Sequence, residues 1–152
     1  MSSLVLTVFS LSIILFQLSC KKDAAAQTTT LTKDQILVAK TWKVSKLHHV
    51  LSGKYSSYTS AGTNTTGLNY DVMRFTFKAN GTGTNISVDG TSFPFTWQFS
   101  SADKRSMSIT LNGTTVTWEM VEIVDNYLHA SVNLTLSGNS NNLETFRLIQ
   151  VP

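Results

Sequence analysis

The sequence contains one cysteine, Cys20, and only 14% of its residues are charged. A single cysteine cannot form an internal disulfide, and it leaves the rest of the chain without a thiol nucleophile or a thiolate metal ligand. The 12 Lys and Arg and the 9 Asp and Glu residues give a formal net charge of +3 without a basic run, which argues against nucleic-acid binding. The chain also lacks a Gly-x-Ser-x-Gly elbow and a glycine-rich phosphate loop ahead of a helix. We therefore expect a non-enzymatic protein that needs no cofactor.

The histidines do not form a metal-ligand pattern. His48 and His49 are adjacent in a predicted strand, so they point to opposite faces and make a poor chelating pair. His129 lies on the polar side of its predicted strand, where solvent exposure is the usual state. We expect no metal site.

A long hydrophobic run is also missing. Residues 4–18 are nearly all apolar, but this run is too short to favour a membrane-spanning helix and has the length of a signal-peptide core. It ends in Gln17-Leu18-Ser19-Cys20, which resembles the lipobox of bacterial lipoproteins, and Lys21-Lys22-Asp23 is similar to the start of mature lipoproteins of the Bacteroidota type. In that family the cysteine is acylated and becomes the mature N-terminus.

This resemblance divides the chain into a signal peptide over residues 1–19, a lipidated tether over residues 20–31 and a folded domain over residues 32–152. The tether is rich in small and polar residues, which is typical of a flexible linker. A lipid on Cys20 implies that the protein is attached to a membrane of the cell envelope, the outer membrane in our interpretation, on a face that the sequence does not assign. The alternative is that Cys20 is an unmodified thiol in a segment that is removed.

The domain is organised around residues 92–100, in which an aromatic side chain occupies every second position. Successive side chains of a strand point to opposite faces, so this pattern predicts a strand with one aromatic face. The dipeptides Asn80-Gly81, Asp89-Gly90 and Asn112-Gly113 are typical of tight hairpin turns. With other breaks they separate eight predicted strands, near residues 41–50, 70–79, 82–88, 91–100, 105–111, 114–124, 127–137 and 143–151.

Short links between successive strands favour antiparallel neighbours in chain order. We therefore predict an all-β domain, an eight-stranded antiparallel up-and-down barrel with a short N-terminal helix. The helix begins at the capping box Thr32-Lys33-Asp34-Gln35 and ends near Ala39. One connection is long: residues 51–68 are polar with embedded tyrosines, and they form either a lid over an open barrel mouth or a surface loop.

A barrel of eight strands has an interior that either fills with side chains or holds one small ligand. The alternation of apolar and polar residues predicts which side chains face this interior. Glu122 shares the parity of Trp118, which places it on the inner face at one end of the barrel, in a structural rather than a catalytic role. The candidate lining residues for a ligand are Phe75, Phe77, Phe95, Trp97, Met107, Trp118 and Met120.

The domain resembles the lipocalin-like domains of small bacterial lipoproteins. The matching features are the helix leading into Lys40-Thr41-Trp42, the long first connection, Phe75-x-Phe77 followed by Asn80-Gly81-Thr82-Gly83, and the closing Phe146-Arg147-Leu148. The resemblance implies that Trp42 packs under Arg147 in a cation–π contact that closes the barrel.

The same resemblance implies that the barrel binds a small hydrophobic molecule or lipid. Lys43, Lys46 and Lys54 would then attract an anionic headgroup to the mouth. Lipocalin-like folds also serve as modules that bind no small molecule. A filled barrel that docks a protein or glycan partner at the cell surface is therefore the alternative function.

Overall fold

The computed structural model of the protein describes residues 30–133 and 142–151. The predicted signal peptide, Cys20 and nearly all of the predicted tether lie outside the described residues. Among the described residues, no helix has the length and hydrophobicity of a membrane span. The elements are α1 (Lys33–Ala39), β1 (Thr41–Leu51), β2 (Lys54–Thr59), β3 (Arg74–Phe77), β4 (Thr82–Ile86), β5 (Ser92–Phe99), β6 (Met107–Leu111), β7 (Thr114–Val124), β8 (Tyr127–Asn133) and β9 (Leu143–Gln150).

The barrel closes on β1. This strand pairs with β9 from Trp42↔Gln150 to Val50↔Leu143, with a one-residue register shift at Ser45, and its first residues pair with β3 on the other edge. From β3 to β9, each strand pairs with the next one in the chain, always antiparallel. The predicted eight-stranded up-and-down barrel is thereby confirmed, with β1 and β3 to β9 as its wall and one short helix outside it.

The prediction that residues 51–68 form a loop is wrong for the first half of this segment. Lys54–Thr59 is strand β2, which forms a hairpin with the second half of β1 through a turn at Ser52 and Gly53, both with positive φ. Tyr58 lies opposite Leu47 and is buried, so β2 has an inner face as the barrel strands do. The polar composition concealed this strand because only one of its side chains enters the core.

Helix α1 packs against one end of the barrel. Its capping box forms as predicted, with the Gln35 amide donating to the Thr32 hydroxyl and the Thr32 amide donating to Gln35 Oε1. Ile36 and Leu37 are buried, and the Trp42 indole nitrogen donates to the Leu37 carbonyl at 2.8 Å. An ion pair between Asp34 and Lys104 joins the helix to the β5–β6 connection. We call this end of the barrel the helix end.

A bulge in β7 overturns the predicted orientation of two side chains. On one side of it Glu119 pairs with Ser131, and on the other Glu122 pairs with His129, so β7 has one extra residue between the two pairs. Met120 adopts a positive φ of 51° in the bulge and is 53% exposed, while Val121 is buried in its place. Met120 therefore does not line the interior, and Glu122 lies on the outer face.

Candidate functional site

The barrel contains a cavity of about 190 Å³ in the half away from α1, which we call the open end. Strands β1, β3, β4, β6, β7, β8 and β9 all contribute inner-face side chains to its wall, because alternate residues of each strand point inward. The wall is mainly apolar, formed by Val44, Leu47, Met73, Phe75, Asn85, Ile109, Leu111, Val116, Trp118, Val132, Glu144, Phe146 and Leu148.

The helix end of the barrel is filled. Phe77, Phe95 and Met107, three of the predicted lining residues, are buried there and are not part of the cavity wall. The Phe77 and Phe95 rings meet edge to face with centroids 5.2 Å apart, a favourable aromatic geometry. The two states that the sequence left open, a packed interior and a hollow one, therefore occur together at opposite ends of the same barrel.

Phe75 and Trp118 are the two predicted lining residues that do face the cavity. Phe75 also contacts the rings of Phe77 and Phe95, so it separates the hollow part of the interior from the filled part. Trp97, also predicted to line the interior, is half-buried, and its indole nitrogen donates to backbone carbonyls of the β3–β4 hairpin.

The predicted contact between Trp42 and Arg147 is wrong. The register places Trp42 opposite Gln150, while Arg147 lies opposite Lys46 on the outer face. The Arg147 guanidinium lies over the ring of Tyr127, 4.3 Å from its centroid, and Trp42 finds its polar partner in the helix. The aromatic and the arginine predicted to close the barrel point to opposite sides of the sheet.

The open end contains an inward carboxyl group that sequence reasoning missed. Glu144 has the same parity in β9 as Phe146 and Leu148, and this alternation in the sequence was the signal that could have revealed it. Its Oε2 lies 3.9 Å from Nδ1 of His49, the residue opposite it in β1. Burial raises the pKa of the Glu144 carboxyl, and the nearby His49 opposes this shift.

Tyrosines from β2 and the following segment form a second cluster of buried side chains. Tyr58 and Tyr70 are buried with ring centroids 5.3 Å apart, and the Tyr58 hydroxyl donates to Asp71 at 2.5 Å. Burial, and then the negative charge of Glu144, raise the pKa of Tyr70. The segment predicted as a lid or a surface loop, residues 51–68, thus contributes one buried tyrosine, Tyr58, to the core.

Asn85 is the second polar side chain in the cavity wall. It is buried on β4 opposite Phe75, and its Nδ2 donates to the Arg74 carbonyl at 3.1 Å. This bond fixes the amide against β3, next to the apolar surface of the cavity.

A second concave surface, which we call the outer groove, has a volume of about 320 Å³ and crosses the outside of β1, β9, β8 and β7. Lys46, Arg147, His129 and Glu122 follow one another across these strands as paired residues. The Tyr127 hydroxyl donates to Glu122 at 3.1 Å. The groove thus combines several basic side chains with one carboxylate and an aromatic ring.

The prediction that His48 and His49 face opposite ways is confirmed. His48 hydrogen-bonds with the Tyr55 hydroxyl on the outer face, and His49 points inward toward Glu144. The predicted basic patch does not surround the mouth, because Lys43 and Lys46 extend from the outer parity of β1. In residues 30–133 and 142–151, no three His, Cys, Asp or Glu side chains are grouped so that they could share a metal ion.

Fold and site together define a closed antiparallel β-barrel that is packed at its helix end and hollow, with an inward carboxyl group, at the other. No protein-family model matches the sequence, and no curated protein matches it either. Among solved structures, the chain is similar to the crystal structure of a DUF4847 family protein from Bacteroides vulgatus ATCC 8482. The two are 14% identical with a TM-score of 0.48, over 78% of this chain and 96% of the other.

Proposed function

We propose that this protein is a non-enzymatic, lipid-anchored lipoprotein of the cell envelope whose lipocalin-like barrel binds a small hydrophobic molecule at its open end. The observation that carries the binding function is the mainly apolar cavity of about 190 Å³. An engineered apolar cavity of roughly 150 Å³ in another protein stays dry and binds benzene, so this one has room for a comparable molecule. The ligand that fits is compact, with one ring or a short chain.

The packed helix end limits how far a ligand enters. Phe75 stands between the cavity and the buried Phe77 and Phe95, so a long acyl chain would have to displace aromatic side chains that are already in contact. Displacing close-packed side chains is unfavourable. This geometry favours a short ligand over a long-chain lipid.

Blocking the cavity tests the binding function. Val116 faces the cavity and the adjacent Thr117 is exposed on the outer parity of β7. Hexan-1-ol is titrated into the purified full chain, with calorimetry and the fluorescence of the cavity tryptophan Trp118 as readouts. We expect Val116→Phe to weaken binding by about tenfold or more because the ring occupies the ligand's volume, and Thr117→Phe to bind as the native chain does. No binding to the native chain would contradict the proposal.

The lipid anchor is tested separately in cells. Cys20 would be the acylated residue, so Cys20→Ala is expected to remove incorporation of labelled palmitate and to deplete the protein from the outer-membrane fraction. Ser19→Ala retains a small residue before the cysteine and should leave both unchanged. Retention of Cys20→Ala in the outer-membrane fraction would exclude a lipid on this residue as the anchor.

The outer groove favours a second candidate, an interaction module that docks a protein or glycan partner. Its basis is the row of basic side chains beside Tyr127, a combination that can bind anionic groups of a glycan. Heparin serves as an anionic glycan probe in this case. Arg147→Gln should reduce heparin retention whereas Val116→Phe should not, and retention that depends on neither would argue against the groove.

A further inference from the structure

The binding of a purely apolar ligand does not explain why the cavity wall contains the carboxyl group of Glu144. Glu144 extends from β9 into the cavity wall with 24% of its side chain exposed. In β8 its paired neighbour is the apolar Val132. Among the described residues, its carboxyl group makes no hydrogen bond, and its separation of 3.9 Å from His49 Nδ1 is too long for one.

The groups around Glu144 neutralise it poorly. His49 faces it from β1, and the Glu144 charge also acts on Tyr70 in the segment before β3. His49 Nε2 is itself buried and has no hydrogen-bond partner in the described part of the chain. A partly buried carboxylate without a close partner is less stable than one in water, so a positive charge or a hydrogen-bond donor placed beside Glu144 would be favourable.

We propose that Glu144 binds the amino group of the ligand, so that the cavity selects small amphiphilic amines. This inference rests on the proposed binding function and specifies the ligand's chemical class. A protonated amine brings both N–H donors and the compensating charge to the carboxylate, while its short apolar chain lies against Phe75 and Trp118.

Ligands with other head groups satisfy the site less well. An alcohol of the same length supplies one neutral hydrogen bond, which is weaker than a charge-assisted one. A carboxylic acid in its ionised form brings a like charge next to Glu144, which is unfavourable at short distance. The order of affinity should therefore be amine, alcohol, carboxylate at a fixed chain length.

Three probes of equal length test this order: hexylamine, hexan-1-ol and hexanoate, titrated at pH 8 into the purified full chain by calorimetry. We expect hexylamine to bind about tenfold or more tightly than hexan-1-ol, the difference associated with a hydrogen bond to a charged group. Glu144→Gln should remove this preference, so that hexylamine and hexan-1-ol bind to the variant within about twofold of each other. Glu119→Gln, an identical change on the exposed face of β7, is the matched control and should keep the preference.

The outcomes separate the two proposals. Equal binding of hexylamine and hexan-1-ol, or a preference that persists in Glu144→Gln, would overturn amine selection and leave the hydrophobic cavity function intact. Failure of all three probes to bind the native chain would overturn both. A single cooperative thermal unfolding transition of Glu144→Gln, at a temperature no lower than that of the native chain, ensures that a lost preference reflects the site and not misfolding.

Discussion

Gly83 is the residue whose small size allows the helix end to fill with rings. It pairs with Phe77 and Phe95 on neighbouring strands, and a Cβ added to it would lie 2.7 Å from the Thr76 carbonyl oxygen and closer still to the Phe95 ring. We expect Gly83→Ala to lower the free energy of unfolding by about 1–3 kcal/mol, because the ring and the backbone must both move. Chemical denaturation measures this. Gly62→Ala, where the added atom meets only ordinary contacts, should be nearly neutral.

Glu144 predicts a pH dependence of stability with a definite sign. Burial raises its folded-state pKa above the ordinary value of 4.5, so its contribution to stability is fully present below that value and is lost as pH rises through the folded-state pKa. Glu144→Gln imitates the neutral form. The substitution should therefore raise the free energy of unfolding at pH 8 and change it little at pH 4, as measured by denaturant titration. A gain of equal size at both pH values would show that ionisation of Glu144 is not the cause.

Side-chain alternation predicted single residues well where the strands are regular. It correctly placed Phe75 and Trp118 inside the barrel. It wrongly placed Met120 inside, because the sequence of β7 contains no signal for a bulge at that point. It also contained the evidence for Glu144, whose parity matches Phe146 and Leu148. A charged residue in an inward position is visible in such a pattern, whereas the distance between its carboxyl group and His49 depends on how β1 and β9 pair.

The bulge in strand β7 requires an unusual backbone conformation at one residue. Met120 has a positive φ, a conformation that β-branched side chains tolerate poorly, and it is largely exposed. Met120→Val is expected to lower the free energy of unfolding by about 1–2 kcal/mol through backbone strain. Thr117→Val, at an exposed regular position of the same strand, should have little effect. Were β7 regular at Met120, valine would be favourable there and the two variants would behave alike.

Eight strands could be predicted because hairpin dipeptides and alternation both depend on local sequence. Strand β2 could not be predicted, because Lys54–Thr59 is polar. It pairs with the second half of β1, while β3 pairs with the first residues of β1. The pairing of Tyr58 with Leu47 gives it an inner face that composition does not show. A strand that is stabilised mainly by pairing with one neighbouring strand is difficult to predict from its own sequence.

The division of the whole barrel into a packed end and a hollow end can be tested by adding one methylene group to a valine in each region. Val121 is buried outside the cavity wall and Val132 is part of that wall. Val121→Ile should lower the free energy of unfolding by about 1–3 kcal/mol because the packed region must expand. Val132→Ile adds the same group next to empty space, so stability should stay the same or rise, while hexan-1-ol binds more weakly. Equal losses of stability in both variants would contradict the presence of free space at the open end.

The barrel itself was predictable because short links and consistent parity leave few other topologies. The sequence did not predict whether the interior is filled, because this depends on how side chains from eight strands pack in one volume. Three of the predicted lining residues, Phe77, Phe95 and Met107, fill the helix end instead. The cavity results from the smaller side chains Val44, Val116 and Val132 at the other end, whose combined effect appears only in three dimensions.

The pairing of β1 with β9 also has a consequence for how the molecule acquires its structure. Strands β3 to β8 can form successive hairpins from neighbouring residues, but the ring closes only when Leu143–Gln150, near the end of the chain, reaches β1. Contacts between residues so distant in sequence form slowly. Until then β1 and β8 each present an unpaired edge to which another chain can add. The time between the emergence of β8 and the arrival of β9 is therefore when a newly made copy is most open to aggregation.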